Sequence, residues 1–212
     1  MKKSLSLHIV IILFLPTLIF SQVDLGFIGG VNNTSLSGDN PPNASFSSGY
    51  GYHLGVQSDF YILDDVAINF QPMYTTYSTF LSYDVNYQYE KYDSLKTSSD
   101  YLEFPLSIKV VSDNEISYVT AGFSVGYFLS SKTKNQTTDK KIDSDDRYSQ
   151  YNLRAHFGVG AQFDLGIPIL FFEIRYSQSL TNIIDGKIFE LNINRKLKSN
   201  GFRLFTGLMF RL

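Results

Sequence analysis

The side chains best suited to moving protons near neutral pH are His53 and His156, with His8 set aside because it lies in an N-terminal export segment. A hydrolase built on either would need a Ser or Asp within hydrogen-bond reach, and the sequence specifies no such pairing. The other polar candidates are Asp59, Arg154, Gln162, Asp164, Glu173, Arg175 and Arg203. Glu173 and Arg175 stand two residues apart, which places them on one face of a strand as an ion pair. Together His53, Asp59, Arg154, His156, Gln162, Asp164, Glu173, Arg175 and Arg203 read as a polar network that fills an interior rather than a catalytic set. The chain has no Cys, which excludes disulfides, a thiolate metal site and a Cys nucleophile. No metal or cofactor site is expected. The acidic run Asp143-Ser144-Asp145-Asp146 lacks the glycine and the twelfth-position Glu of a calcium loop and reads as a solvated loop.

A period of two positions these residues. Tyr151, Leu153, Ala155, Phe157, Val159, Ala161, Phe163 and Leu165 alternate with Gln150, Asn152, Arg154, His156, Gly158, Gly160, Gln162 and Asp164. A helix would not sort residues this way. The pattern predicts strands at about 23–36, 50–62, 66–81, 101–111, 116–131, 148–165, 169–181 and 199–212, each long enough to cross a bilayer at a tilt. Their connections alternate between tight turns (Leu63–Asp65, Ser112–Glu115, Gly166–Pro168) and long polar segments (37–48, 82–100, 132–147, 182–198). The prediction is an all-β, eight-stranded antiparallel up-and-down transmembrane barrel. Pairing of the sixth and seventh predicted strands sets Arg175 opposite Gly158 or Gly160, and Glu173 opposite Gly160 or Gln162.

Periodicity alone does not say which face is inside, and a lipocalin-like barrel would turn the apolar face inward. Glycine decides for a polar lumen with a lipid-facing apolar exterior. Gly26, Gly30, Gly51, Gly55, Gly122, Gly126, Gly158, Gly160 and Gly207 share the polar parity, with Gly29 the main exception, and small residues are needed there beside Arg, Glu and His. Tyr50, Tyr52, Tyr61, Tyr74, Tyr101, Tyr118, Tyr148 and Tyr151 fall near strand ends, as an interfacial girdle requires.

Lys2 and Lys3 precede Leu5–Phe20, where 12 of 16 residues are large and apolar, and Ser21 follows. This reads as a signal peptide over residues 1–21 and a barrel domain over residues 22–212, exported to the bacterial outer membrane. With 18 Lys and Arg against 20 Asp and Glu, no nucleic-acid partner is expected.

Four segments resemble the small porin-like, PorT-type outer-membrane barrel family of Bacteroidetes-type bacteria. They are Gly26-Phe27-Ile28-Gly29-Gly30-Val31-Asn32, Tyr101-Leu102-Glu103-Phe104-Pro105-Leu106, Ala121-Gly122-Phe123, and Glu173 to Asn182. The ending Gly207-Leu208-Met209-Phe210-Arg211-Leu212 resembles a barrel-assembly signal, with Leu where Phe is usual. The resemblance implies an outer-membrane location, no catalytic residues, and for some members a link to secretion machinery. The expected function is a structural or interaction barrel in contact with outer-membrane lipid and lipopolysaccharide. A protein partner is expected at the long loops, through Tyr83, Tyr87, Tyr89 and Tyr92 with Glu90 and Lys91. The alternatives are a membrane-embedded lipid-modifying enzyme using His53 or His156, a narrow porin-like channel, and a secreted small-ligand binder.

Overall fold

The computed structural model describes residues 22–38, 44–83, 94–135, 141–143, 148–187 and 194–212. Residues 1–21, expected as a signal peptide, the tyrosines Tyr87, Tyr89 and Tyr92 with Glu90 and Lys91, and Ser144 to Asp146 lie outside these residues. Alternation yields β1 (Gln22–Gly38), β2 (Ala44–Tyr61), β3 (Val66–Phe70), β4 (Met73–Tyr83), β5 (Ser94–Val111) and β6 (Ser117–Asn135). They are followed by β7 (Lys141–Asp143), β8 (Tyr151–Asp164), β9 (Ile169–Ser179), β10 (Ile184–Lys187) and β11 (Asn194–Arg211).

These strands form eight staves. Strands β3 and β4 are one stave between β2 and β5, interrupted where Pro72 has no N–H to give the ladder. The gap is bridged by Gln71 N–H to the Pro105 carbonyl and Val56 N–H to the Pro72 carbonyl, both 3.1 Å. Strands β7 and β8 lie along β6, and β9 and β10 along β11. All pairings are antiparallel, and β1 pairs with both β2 and β11, so the sheet closes and leaves no edge for lipid to meet. Tight turns at 62–65, 112–116 and 165–168 mark one end, with both strand termini Gln22 and Arg211, and are called here the turn end.

Strands continue into segments expected as loops: β5 begins at Ser94 and β6 runs to Asn135. The apolar alternation stops there because the outer face has left the lipid, while the ladder needs only backbone groups. Hydroxyl pairs hold the inner face instead, Thr97 with Thr133 at 3.0 Å and Ser99 with Ser131 at 3.2 Å.

The outward parity is apolar, with Phe27 68% and Ile108 59% exposed, whereas Arg175 on the inward parity is 1% exposed. The hairpin register places Gly158 opposite Arg175 and Gly160 opposite Glu173. The tyrosine expectation is corrected. Tyr50, Tyr52 and Tyr151 face outward, but Tyr61, Tyr101 and Tyr118 are buried in the lumen. The ring of Tyr118 lies against Gly160, where any Cβ would collide with it, so the space that glycine leaves is taken by an aromatic ring. Outward aromatic pairs Tyr127 with Tyr151 (5.6 Å) and Tyr176 with Phe202 (5.3 Å) form the girdle on the loop side.

Candidate functional site

The candidate site is the lumen. At the turn end an apolar cluster of Ile28, Tyr61, Ala67, Met73, Val111, Tyr118, Ile169, Phe171, Phe205 and Met209 fills the bore. Within it Asp59 and Lys109 are both buried, with Lys109 Nζ 2.7 Å from Asp59 Oδ2. The Asp59 carboxylate also accepts from Gln57 Nε2 at 3.2 and 3.3 Å and from Asn69 Nδ2. Gln71 donates to Gln57 (2.7 Å), Arg175 Nη1 donates to Gln71 (2.8 Å), and Arg175 Nε donates to Glu173 (2.6 Å). Thr120 completes the chain by donating to Glu173 at 3.1 Å. One hydrogen-bonded path therefore links β5, β2, the β3–β4 break, β9 and β6. The Glu173 carboxylate lies over Gly158, where a Cβ would displace it.

Nearer the loop end, Glu103 is fully buried and anchors a second layer. Arg203 Nη1 donates to Glu103 Oε2 at 2.7 Å, and Tyr77 Oη donates to Oε1 at 2.6 Å. Arg154 Nη1 stands 4.0 Å from Glu103 Oε1, and its guanidinium is 4.6 Å from the centre of the Tyr77 ring. Arg203 also contacts the Tyr77 hydroxyl. Two guanidiniums thus share one carboxylate and one aromatic ring, with cation–π attraction adding to charge pairing.

His53, Asp59, Arg154, His156, Gln162, Glu173, Arg175 and Arg203 all lie buried in the lumen. Asp164 does not join them. It ends β8, its side chain is half exposed, and it accepts from Gly166 N–H at 2.7 Å, capping the turn at the barrel rim. His53 packs on Phe205 with ring centres 4.1 Å apart. His156 Nε2 is 2.7 Å from Ser107 Oγ, the hydroxyl that the sequence did not assign.

Sequence reading also missed Glu103, Lys109, Asp24, Gln57, Asn69, Gln71 and Tyr77. A signal for Glu103 and Lys109 was present, because Leu102, Phe104, Leu106, Ile108 and Val110 put both on the polar parity of their strand. Among the described lumen residues, Asp24, Asp59, Glu103 and Glu173 balance Lys109, Arg154, Arg175 and Arg203, so the buried formal charges cancel. Eight strands leave a bore just wide enough for side chains, and these side chains occupy it.

The crystal structure of outer membrane protein OprG from Pseudomonas aeruginosa is similar over 90% of this chain and 94% of its own, with 10% identity and a TM-score of 0.49. Ail of Yersinia pestis, solved in complex with the heparin analogue sucrose octasulfate, is similar over 89% and 99%, with 13% identity and a TM-score of 0.47. Neisserial surface protein A is similar over 86% and 95%, with 16% identity and a TM-score of 0.44. No curated protein matches the sequence. A family model described as outer membrane protein beta-barrel domain matches residues 20–185, most of the chain. The chain belongs to that family of bacterial outer-membrane β-barrel proteins.

Proposed function

We propose that this barrel is a closed anchor and interaction platform rather than a solute channel. The observation that carries the reading is the Glu103 layer, in which side chains from β4, β5, β8 and β11 meet across the bore. A solute would have to break a buried ion pair, at about 3–5 kcal/mol, to pass. Work is then left to the loop end, where Tyr83 leads into the aromatic and charged segment that is expected to contact a protein partner, with lipid and lipopolysaccharide around the wall. The reading places a signal peptide at residues 1–21, on Lys2 and Lys3 ahead of the apolar run Leu5–Phe20, and the barrel domain at residues 22–212. The PorT-type resemblance favours an accessory role in protein secretion. Planar-bilayer recording of the purified barrel tests closure: the expected trace has no steps above the empty bilayer, and a steady ohmic conductance would sink the proposal.

A second reading, catalysis, has one observation in its favour: the Ser107 and His156 pair has nucleophile-and-base spacing. Both residues are buried and face the filled lumen, which favours a satisfied histidine. If lipids extracted from cells carrying Ser107→Ala or His156→Ala differ from wild type by a lost acyl or headgroup change, the catalytic reading replaces the structural one.

A further inference from the structure

On the outer surface, charge is sorted by end. Among the described side chains outside the lumen, the turn end carries Asp64, Asp65, Asp113, Glu115 and Asp164 against Arg211. The wall near the loop end carries Lys96, Lys132, Lys134, Lys196 and Lys198 against Asp100. Three of these lysines stand together on β5 and β6, where three successive rungs of the ladder rise beyond Leu102, the last apolar residue on the outer face of β5. The first rung, Thr76–Asp100–Ser130, holds the acid, and Asp100 accepts from Thr76 at 2.8 Å and from Ser130 at 3.1 Å. The second, Ser78–Ser98–Lys132–Asp143, sets one lysine beside one acid. The third, Ser47–Phe80–Lys96–Lys134–Lys141, sets three lysines on adjacent strands with no acid among them.

Like charges directly opposite each other destabilise a sheet, so this third rung is arranged for something other than stability. Neighbouring strands are about 4.8 Å apart, which puts the heads of Lys96 and Lys134 within reach of one phosphate group, and phosphate accepts from several ammonium donors at once. Lys96 is also held beside Phe80, its Nζ 5.7 Å from the ring centre. Parity decides between a ligand at the side and one above. Lys96 shares the outward parity of Leu102 and Phe104, so its head turns toward whatever surrounds the wall rather than toward the mouth of the bore. Height decides which lipid. Lys96 is six residues beyond Leu102, about 20 Å along the strand and about 15 Å above the hydrocarbon edge at a tilt of about 40°. Phospholipid headgroups fill only about 5–8 Å of that height. Even with the lysine stems reaching down, the row stands at the level of a larger, sugar-based headgroup.

We propose that Lys96 and Lys134, with Lys132 one rung below, hold a phosphate carried on the sugar headgroup of an anionic glycolipid of the outer leaflet, the chemical class of lipopolysaccharide. The proposal rests on the reading given above, in which the loop end faces the exterior with lipopolysaccharide around the wall.

The test uses the full barrel refolded in zwitterionic detergent. Thermal unfolding midpoints are followed as three lipids are titrated in: rough lipopolysaccharide, the same material with its phosphates removed, and phosphatidylglycerol. The expected midpoint rises and saturates with the first and stays flat with the other two. Lys96→Gln and Lys134→Gln each raise the half-saturating concentration about fivefold, the worth of one lysine at an anionic membrane surface, while Lys134→Arg keeps the wild-type value. Lys196→Gln with Lys198→Gln, which takes two charges from β11 at the same end, leaves it within about twofold. An equal rise with phosphatidylglycerol, a rise that survives removal of the phosphates, or equal losses from the β5–β6 and β11 substitutions would overturn the proposal. So would a midpoint raised by heparin and not by lipopolysaccharide, which would put a soluble polyanion at the row. Closure is read separately by the bilayer trace: a conducting barrel would sink the anchor reading without changing this titration, and a flat titration would sink the lysine row without opening the bore.

Discussion

The two charged layers of the lumen neutralise their carboxylates by different means. Around Asp59 the partners are one ammonium and the amides of Gln57 and Asn69, so the carboxylate rests in a cradle that belongs mostly to neutral groups. Around Glu103 the partners are two guanidiniums, the Tyr77 phenol and, at 3.4 Å, the Thr75 hydroxyl, so the charge itself is shared. Lys109 is a compact point charge lying 4.6 Å from the centre of the Tyr118 ring, while the planar forks of Arg154 and Arg203 both reach Tyr77 and Glu103. The difference teaches where the barrel depends on a single residue: Glu103 alone answers two cations, whereas Lys109 has Asp59 at 2.7 Å and a second carboxylate, Asp24, directly opposite Asp59 on the neighbouring strand.

Glu103→Ala is therefore expected to have the largest effect. It strands two buried guanidiniums and should cost about 3–5 kcal/mol, read as a lower urea midpoint of the refolded barrel and a weaker gel shift between boiled and unboiled samples. Asp59→Ala leaves Asp24 near Lys109 and should cost about 1–3 kcal/mol, the penalty of a group left partly unsatisfied. A loss for Asp59→Ala as large as that for Glu103→Ala would break the contrast, because it would mean that Asp24 contributes nothing to Lys109.

The architecture was legible in the sequence because alternation reports which face meets lipid. It also identified the parity of almost every lumen residue, Arg175 over the glycines of β8 included. It became silent where the outer face left the lipid: Ser94–Asp100 is polar on both parities except for Leu95, too little to show alternation, so the predicted strand is seven residues shorter than β5. Partners were the other blind spot. Parity says that Glu103 points inward, but its meeting with Arg203, 100 residues away in sequence, depends on closure of the ring and on side-chain length. Asp164 shows the opposite failure, since it has lumen parity but lies at the strand end, where the side chain reaches the turn and water instead. The tyrosines divide by the same logic: a ring beside a lumen glycine such as Gly160 turns inward, and periodicity does not reveal which neighbour is short enough to receive it.

Removing both members of a pair sharpens the comparison further. Asp59→Asn with Lys109→Met should return to within about 1 kcal/mol of wild type, since replacing a whole buried ion pair by groups of similar size is often neutral. Glu103→Gln with Arg203→Met should stay about 1–3 kcal/mol below wild type, because Arg154 still lacks its counter-charge. The informative quantity is the coupling within each cycle, and similar recoveries in the two layers would show that Arg154 does not draw on Glu103. The smallest effect is expected at the rim. Arg211 is half exposed, with Asp24 and Asp164 both at 3.8 Å, distances at which water competes for every contact. Arg211→Gln should shift the unfolding free energy by about 0–1 kcal/mol, and what shift there is should vanish in high salt. A larger, salt-resistant loss would mean that Arg211 completes the turn-end layer as a third charged partner, and that this layer, like the Glu103 layer, holds its charges by sharing them.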